Sequence, residues 1–252
     1  MADALLEIEV LTKRFGGVIA ADGISLAVPV GELQVIIGPN GADKSTSIGQ
    51  LSGEVTSDSG RIRFDGRDIT NLPVCERSQL GLVRSFQLTI LFLDFTALYN
   101  VALSVQAHVG HSFRFWGNAR HETELREPAQ TALARVGLAE RAATFVADLS
   151  HCERRQLEIA MALAARPRML LLDEPMAGMG LEESARLLEM LRTLKGVITI
   201  ILIEHDIDAV FALAARISVL VYGRIIETGD PPAIRADAGV REAYLGEGLA
   251  HG

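Results

Sequence analysis

One stretch constrains this chain more than any other. Leu33-Gln34-Val35-Ile36-Ile37 runs straight into Gly38-Pro39-Asn40-Gly41-Ala42-Asp43-Lys44-Ser45-Thr46. A short buried strand, a glycine-containing loop and Lys-Ser-Thr at a helix start describe a phosphate-binding loop. Backbone N–H groups of such a loop wrap the phosphates, the lysine neutralises charge, and the serine hydroxyl holds Mg2+. The pattern G-x-x-x-x-G-K-S/T asks for glycine immediately before the lysine, and Asp43 stands there. The strict motif fails, so a nucleotide site must find its support in the rest of the chain.

A length of 252 residues, 49% of them apolar, suffices for one large α/β domain with a smaller inserted lobe. A balance of 24 basic against 32 acidic residues, −8 net, argues against a nucleic-acid-coating surface. Nucleotide binding needs only a local positive site and is compatible with that balance. Met1–Leu5 lacks the basic flank and long apolar segment of a signal peptide. The longest apolar run, Val197 to Ile203, is too short to span a bilayer. Cys75 and Cys152 imply no disulfide framework. A soluble, cytoplasmic protein without a nucleic-acid partner is expected.

Along the chain, Glu7–Leu11 and Ile24–Val28 alternate loosely and read as strands flanking Lys13-Arg14-Phe15-Gly16-Gly17. The helix of the loop, Lys44–Leu51, is weakened by Ser47 and by Gly49, since glycine inside a helix costs roughly 1 kcal/mol against alanine. Gly60–Gly66 alternates with period two and reads as an edge-type strand, and Leu82–Gln87 as a short strand ending in a polar residue. From about Thr96 to Ala147 apolar residues recur at helical spacing (Leu98, Val101, Ala102, Val105; then Leu133, Val136, Leu138) and strand signals vanish. This is a helical insert, whose polar middle, His108–Glu127, reads as a loop or frayed helix. Helix Glu153–Ala165, strand Met169–Leu172, helix Leu181–Leu194, strand Val197–Ile203, helix Ile207–Ala214 and strand Ile217–Tyr222 follow. Short, continuously apolar strands between amphipathic helices imply a parallel sheet covered on both faces. Ligands of such sheets sit beyond the carboxyl ends of the strands.

Two of those ends, and one helix start, carry chemistry. Asp173-Glu174-Pro175 offers one carboxylate to hold Mg2+ through water and a second to accept a proton from an attacking water. His205, in Glu204-His205-Asp206, follows the next strand and is placed to meet a terminal phosphate. Ser150 and Glu153 match the S-x-x-E capping box, which opens a helix N-terminus suited to a phosphate. Each feature alone has an ordinary reading: a turn, a cap, a solvated histidine, a packed Phe15. His108, His111 and His121 lack partners of metal-site spacing. The joint order of all these features is what points to a nucleotide site.

On these residues, and over nearly its whole length, the chain resembles the ATP-binding subunits of ABC transporters. Gly38–Thr46 resembles the Walker A loop, Gln87 within Arg84-Ser85-Phe86-Gln87 the Q-loop, and Leu149–Gln156 the signature motif. Leu170–Pro175 resembles Walker B with its catalytic glutamate, and Glu204-His205-Asp206 the switch histidine. The likeness is closest to ATPase subunits of branched-chain amino-acid importers. Lys13–Gly17, Gly81–Gln87, Leu149-Ser150-His151, Leu202–Asp206 and the tail Arg241–Gly246 are similar to that group. The resemblance implies an α/β fold: a P-loop NTPase (RecA-like) core with a parallel sheet, an N-terminal antiparallel β-subdomain and an inserted helical subdomain. Residues 1–252 would form one such domain, with 1–95 and 148–252 as core and β-subdomain and 96–147 as the helical part.

The resemblance also implies roles. Two subunits face head to tail and sandwich two ATP molecules. Phe15 stacks on adenine, and Gly38, Pro39, Asn40, Gly41, Ala42, Asp43, Lys44, Ser45 and Thr46 form the phosphate cradle. Lys44 holds the β- and γ-phosphates, Ser45 and Gln87 coordinate Mg2+, and Asp173 holds it through water. Glu174 polarises the water, His205 steadies the γ-phosphate, and Ser150 of the opposite subunit closes the site. The helical insert and the Gln87 region grip transmembrane permease subunits at the cytoplasmic face of the membrane. The second ATP-binding subunit is another copy or a paralogue, and a periplasmic or extracellular substrate-binding protein takes part indirectly. Similar ATPase subunits serve lipid and lipopolysaccharide exporters. A soluble P-loop GTPase or kinase is disfavoured by the signature segment and the Gln87 insert.

Three positions depart from that pattern. Asp43 replaces the loop glycine, where the backbone is expected at positive φ. Cys152 replaces a signature glycine, adding bulk, and its place at a helix N-terminus predicts a lowered thiol pKa and a reactive side chain. Ala177-Gly178-Met179-Gly180 lacks the polar residue usual in the D-loop. Low intrinsic turnover is expected, and a subunit that binds ATP poorly and serves as a structural or regulatory partner is the alternative.

Overall fold

The computed structural model describes residues 4–39, 41–85, 91–109 and 119–242. Strand β3 (Leu33–Ile37) is buried at all five positions and lies inside a six-stranded sheet. Its neighbours are β8 (Thr199–Ile203) and β9 (Arg216–Val221), both parallel to it; β7 (Met169–Asp173) and β6 (Leu82–Ser85) continue beyond β8. β10 (Arg224–Gly229) closes the other edge antiparallel to β9. Side chains alternate between two apolar cores. Val35, Ile37, Leu170, Leu172, Ile200 and Leu202 enter one, and Ile36, Met169, Leu171, Ile201 and Ile203 the other. A sheet covered on both faces reads as an unbroken apolar run, which is why these strands were legible.

The second core is capped by a four-stranded antiparallel sheet in the order β2, β1, β4, β5, together with α1 (Lys44–Ser52). β1 (Ala4–Phe15) and β2 (Val18–Pro29) run 12 residues each, far longer than the apolar alternation indicates. Their register slips at several points, including between Ile8 and Leu11, where Val10 takes φ 48. Such slips interrupt the period-two pattern without ending the strand. β4 (Ser59–Phe64) is not an edge, because it pairs with β1 on one side and with the two-residue β5 (Arg67–Asp68) on the other.

The first core is covered by helices. α3 (Ala97–Val109), α4 (Ala119–Arg135) and α5 (His151–Ala164) pack together, with α6 (Leu181–Leu194) alongside α5. His108 is helical and α4 begins at Ala119, so much of the polar stretch read as loop or frayed helix is helix. Where its side chains are described, at His108 and Thr123–Glu127, most are exposed, which accounts for their polarity. β8 begins at Thr199 instead of Val197, whose side chain is exposed in the preceding turn. β10 escaped sequence reading because its residues alternate poorly and are partly exposed. α2 (Val74–Gln79), α7 (Ile207–Leu213), α8 (Pro231–Ala236) and α9 (Ala238–Val240) complete the elements.

Candidate nucleotide-binding site

β3 hands the chain to the loop through Gly38, where a Cβ would sit 2.1 Å from the Leu220 carbonyl oxygen on β9. Only glycine permits that approach. The loop then turns on itself, with Ala42 N–H donating to the Pro39 carbonyl at 3.1 Å. Asp43 stands at the N-cap of α1 with φ 58 and ψ 33, the left-handed conformation expected there, and its side chain makes no capping bond. Aspartate tolerates this region better than most residues, though at more cost than glycine. Inside α1, a Cβ on Gly49 would meet Val55 Cγ2 at 2.9 Å, so this glycine lets the segment after the helix fold against it. Asn40 and Gln87 lie outside the described residues.

Lys44 is buried. Its Nζ donates to the carbonyls of Gly38 at 2.8 Å and Pro39 at 3.1 Å, folding the lysine back under its own loop. Burial lowers its pKa, and the charges of Glu174 and Asp173 act in the opposite direction. Ser45 Oγ lies 3.4 Å from Asp173 Oδ1 at the end of β7. The other oxygen of that carboxylate, Oδ2, accepts from Arg84 Nη2 at 2.9 Å, while Arg84 Nη1 is paired with Glu54. A serine hydroxyl and a carboxylate oxygen side by side, with a second carboxylate next in sequence, form the hard oxygen set that Mg2+ prefers. The residues present therefore fit the ion. Among the described residues no three or more His, Cys, Asp or Glu side chains group so as to hold a metal by themselves, so the serine hydroxyl belongs to the set.

Beyond β7 the chain turns at Glu174, which takes φ 46 and donates its N–H to Ile203 of β8 at 3.0 Å. This leaves the Glu174 carboxylate partly exposed at the sheet edge. His205 follows β8, and its Nδ1 lies 3.9 Å from Glu174 Oε1 and 3.8 Å from Glu204 Oε2. Asp206 caps α7 by accepting from Ala209 N–H at 3.1 Å. Lys44, Ser45, Asp173, Glu174 and His205 thus meet at the carboxyl edge of the parallel sheet. Phe15 ends β1, 51% exposed, with Lys13 Nζ 5.3 Å from its ring centroid. Thr46 is the third residue of α1, half-buried.

Ser150 stands on a separate element. Its Oγ accepts from Glu153 N–H at 3.2 Å and its N–H donates to Glu153 Oε2 at 2.8 Å, completing the capping box read from sequence. Two expectations about Cys152 are corrected. Its side chain is buried, with Sγ 3.9 Å from the Glu183 carbonyl of α6, so its bulk turns into the protein and away from the helix end. Burial, reinforced by the Glu183 carboxylate, raises the thiol pKa, the opposite of the lowering expected from a helix N-terminus. Sequence reading also assigned no role to Arg84 or Glu204. Both lie inside recognised motifs, but only the fold shows that each is packed against the site.

A family model described as "ABC transporter" matches residues 21–177, and one described as "Branched-chain amino acid ATP-binding cassette transporter" matches residues 224–250. The high-affinity branched-chain amino acid transport ATP-binding protein BraF of Pseudomonas aeruginosa is 36% identical, covering 98% of this chain and all of its own length. LivG of Escherichia coli, described in the same words, is 35% identical over the same shares. Among solved structures, the ADP conformation of an ATP-binding cassette of an ABC transporter superposes with a TM-score of 0.85 at 29% identity, covering 97% of this chain and 100% of that one. CbiO1 of Clostridium perfringens, part of an ABC transporter complex, gives 0.79 at 27% identity and 98% of each chain.

Proposed function

This chain belongs to the ABC transporter family of ATP-binding subunits, and from that premise we propose that it powers an importer of branched-chain amino acids or a similar small solute, with its own turnover held down by Asp43. It is an ATP hydrolase by family. The observation that supports the site assignment is the meeting of Lys44, Ser45, Asp173, Glu174 and His205 at one sheet edge. The C-terminal match, 224–250, favours the importer reading over a lipid exporter.

In this reading the loop N–H groups from Gly38 to Thr46 wrap the phosphates, and Lys44 exchanges the Gly38 and Pro39 carbonyls for phosphate oxygens. Phe15 offers its exposed ring to the adenine. Ser45 and Gln87 would hold Mg2+, with Asp173 holding it through water, and the ion would supply positive charge against the phosphates. Glu174 accepts a proton from the water as its oxygen bonds to the γ-phosphorus. The bond from that phosphorus to the β,γ-bridging oxygen breaks, and ADP and phosphate leave. His205 donates to the γ-phosphate. Ser150 and the N-terminus of α5 serve the site of a second ATP-binding subunit, another copy or a paralogue.

Asp43 opposes this. A carboxylate roughly 4 Å from a phosphate charge costs on the order of 4 kcal/mol at an effective dielectric near 20, about a thousandfold in affinity. In a mixed dimer the defect would affect one composite site and leave the other.

No described helix is long and apolar enough to cross a membrane. Partner permease subunits on the membrane would meet the exposed aromatic face at the entry to the insert, where Phe92 stacks on Phe95 at 5.4 Å and Phe95 meets Tyr99 edge-on at 4.9 Å. Subunits so placed sit at the cytoplasmic face, with a substrate-binding protein engaged only through the permease. Reconstitution with candidate permeases in liposomes tests the reading. ATP-dependent leucine uptake supports it, and uptake that proceeds equally with Glu174→Gln in every ATPase subunit refutes it.

A further inference from the structure

β8 delivers five buried residues, Thr199 and then four apolar ones, and then, without a break, a buried carboxylate. Glu204 has no exposed surface, and burial raises its pKa. Holding a carboxylate there costs free energy that an apolar residue would not. Its oxygens are divided between two segments of the site. Oε1 accepts from the Met176 N–H at 3.0 Å, in the turn that follows Glu174, and Oε2 accepts from the His205 N–H at 3.2 Å. Oε2 also lies 3.8 Å from His205 Nδ1, the nitrogen that Glu174 Oε1 approaches to 3.9 Å from its other side of the cleft.

We propose that Glu204 is a positioning residue for hydrolysis: anchored on Met176 N–H, it holds the His205 ring with Nδ1 toward the carboxylates and keeps Nε2 for the γ-phosphate. This rests on the ATPase reading above. His205 is 58% exposed, and the terminal torsion of an imidazole is soft, so neighbouring side chains must set the ring's orientation. Two carboxylate oxygens 3.8 and 3.9 Å from Nδ1, beyond hydrogen-bond length, favour the proton on that nitrogen through their charge and so bias the tautomer. Glutamine at 204 has one acceptor oxygen and one donor group. It can satisfy Met176 N–H or His205 N–H but must present a donor to the other.

The test is histidine side-chain NMR on the full chain labelled with 15N-histidine, the His205 signals being assigned with His205→Asn. Nδ1 of His205 is expected to be protonated, and Glu204→Gln is expected to shift His205 toward the Nε2–H form while the other histidines stay unmoved. Steady-state turnover then follows in an Asp43→Gly background. There Glu204→Gln should lower kcat about tenfold with KM for ATP within about twofold, and add less than about twofold to the loss from His205→Ala, because residues acting through one another are not additive. Unchanged His205 signals, or losses that multiply, would overturn the proposal. If Asp43→Gly hydrolyses no ATP, the ATPase reading fails while the NMR still decides the role of Glu204. Should the glutamine variant not fold, Glu204→Asp, whose oxygens draw back by one methylene, replaces it with the same expected shift.

Discussion

Arg84 donates to Asp173 Oδ2 at 2.9 Å, and the carboxylate it holds has no exposed surface. The same guanidinium pairs with Glu54, so one side chain joins the segment after α1 to strand β6 and to Asp173 at the end of β7. Asp173 is thereby turned to leave Oδ1 for Ser45.

Removing that cation strands a buried negative charge, which costs about 3–5 kcal/mol. Arg84→Met is expected to lower the melting temperature by about 10 °C, at roughly 2–4 °C per kcal/mol for a chain of this size. Arg84→Lys keeps the charge without the two-armed geometry and should fall between. Thermal melts of the three proteins check this; a methionine variant that melts with the parent would show that the pair contributes nothing.

The two cysteines should separate by accessibility. Cys75 is exposed, whereas Cys152 is buried with its pKa raised. At pH 8 maleimide or iodoacetamide should modify Cys75 first and Cys152 more slowly than a model thiol, as read by peptide mass spectrometry. Faster labelling of Cys152 would mean that the helix N-terminus outweighs burial after all.

Glu204 makes stability depend on pH. Its folded-state pKa lies above the ordinary value of 4.5. Above that value the native state binds more protons than the unfolded chain, so the parent loses stability relative to Glu204→Gln as pH rises through the folded pKa. Denaturant melts of the two proteins at pH 5 and pH 8 should show the glutamine variant gaining on the parent at the higher pH; a difference that is constant or reversed contradicts the assignment.

The two loop glycines should differ. At Gly38 a Cβ would press on the Leu220 backbone, while at Gly41, with φ 81, nothing lies within 4 Å. Gly41→Ala therefore carries only the cost of a left-handed alanine, about 1 kcal/mol, whereas Gly38→Ala meets a backbone clash that must part β3 from β9. Chemical denaturation should rank Gly38→Ala as clearly the less stable. The opposite order would remove the close approach from the account.

What the sequence made legible follows from physics that acts locally. β3, β7 and β8 are apolar at four of their five positions because both faces are covered, and Ser150 with Glu153 spells its own cap. β10 and the full length of β1 were not legible, since exposed positions and register slips erase the alternation. For the site, the order of the motifs named Lys44, Ser45, Asp173, Glu174 and His205 before any fold was known. Arg84 and Glu204 stayed hidden because a charged residue is placed by its tertiary partners, Asp173 for one and Met176 and His205 for the other. Cys152 was misread for the same reason. The helix end next to it is visible in sequence, and α6 packed over it is not.

The central claim is that an ATPase cassette stands here with its own loop impaired by Asp43. Calorimetric titration of Mg-ATP into the parent chain and into Asp43→Gly, side by side, tests it most directly. Weak or undetectable binding by the parent, with affinity rising at least tenfold on reversion, is the expected result. Equal micromolar binding by both proteins, or no binding by either, would contradict it.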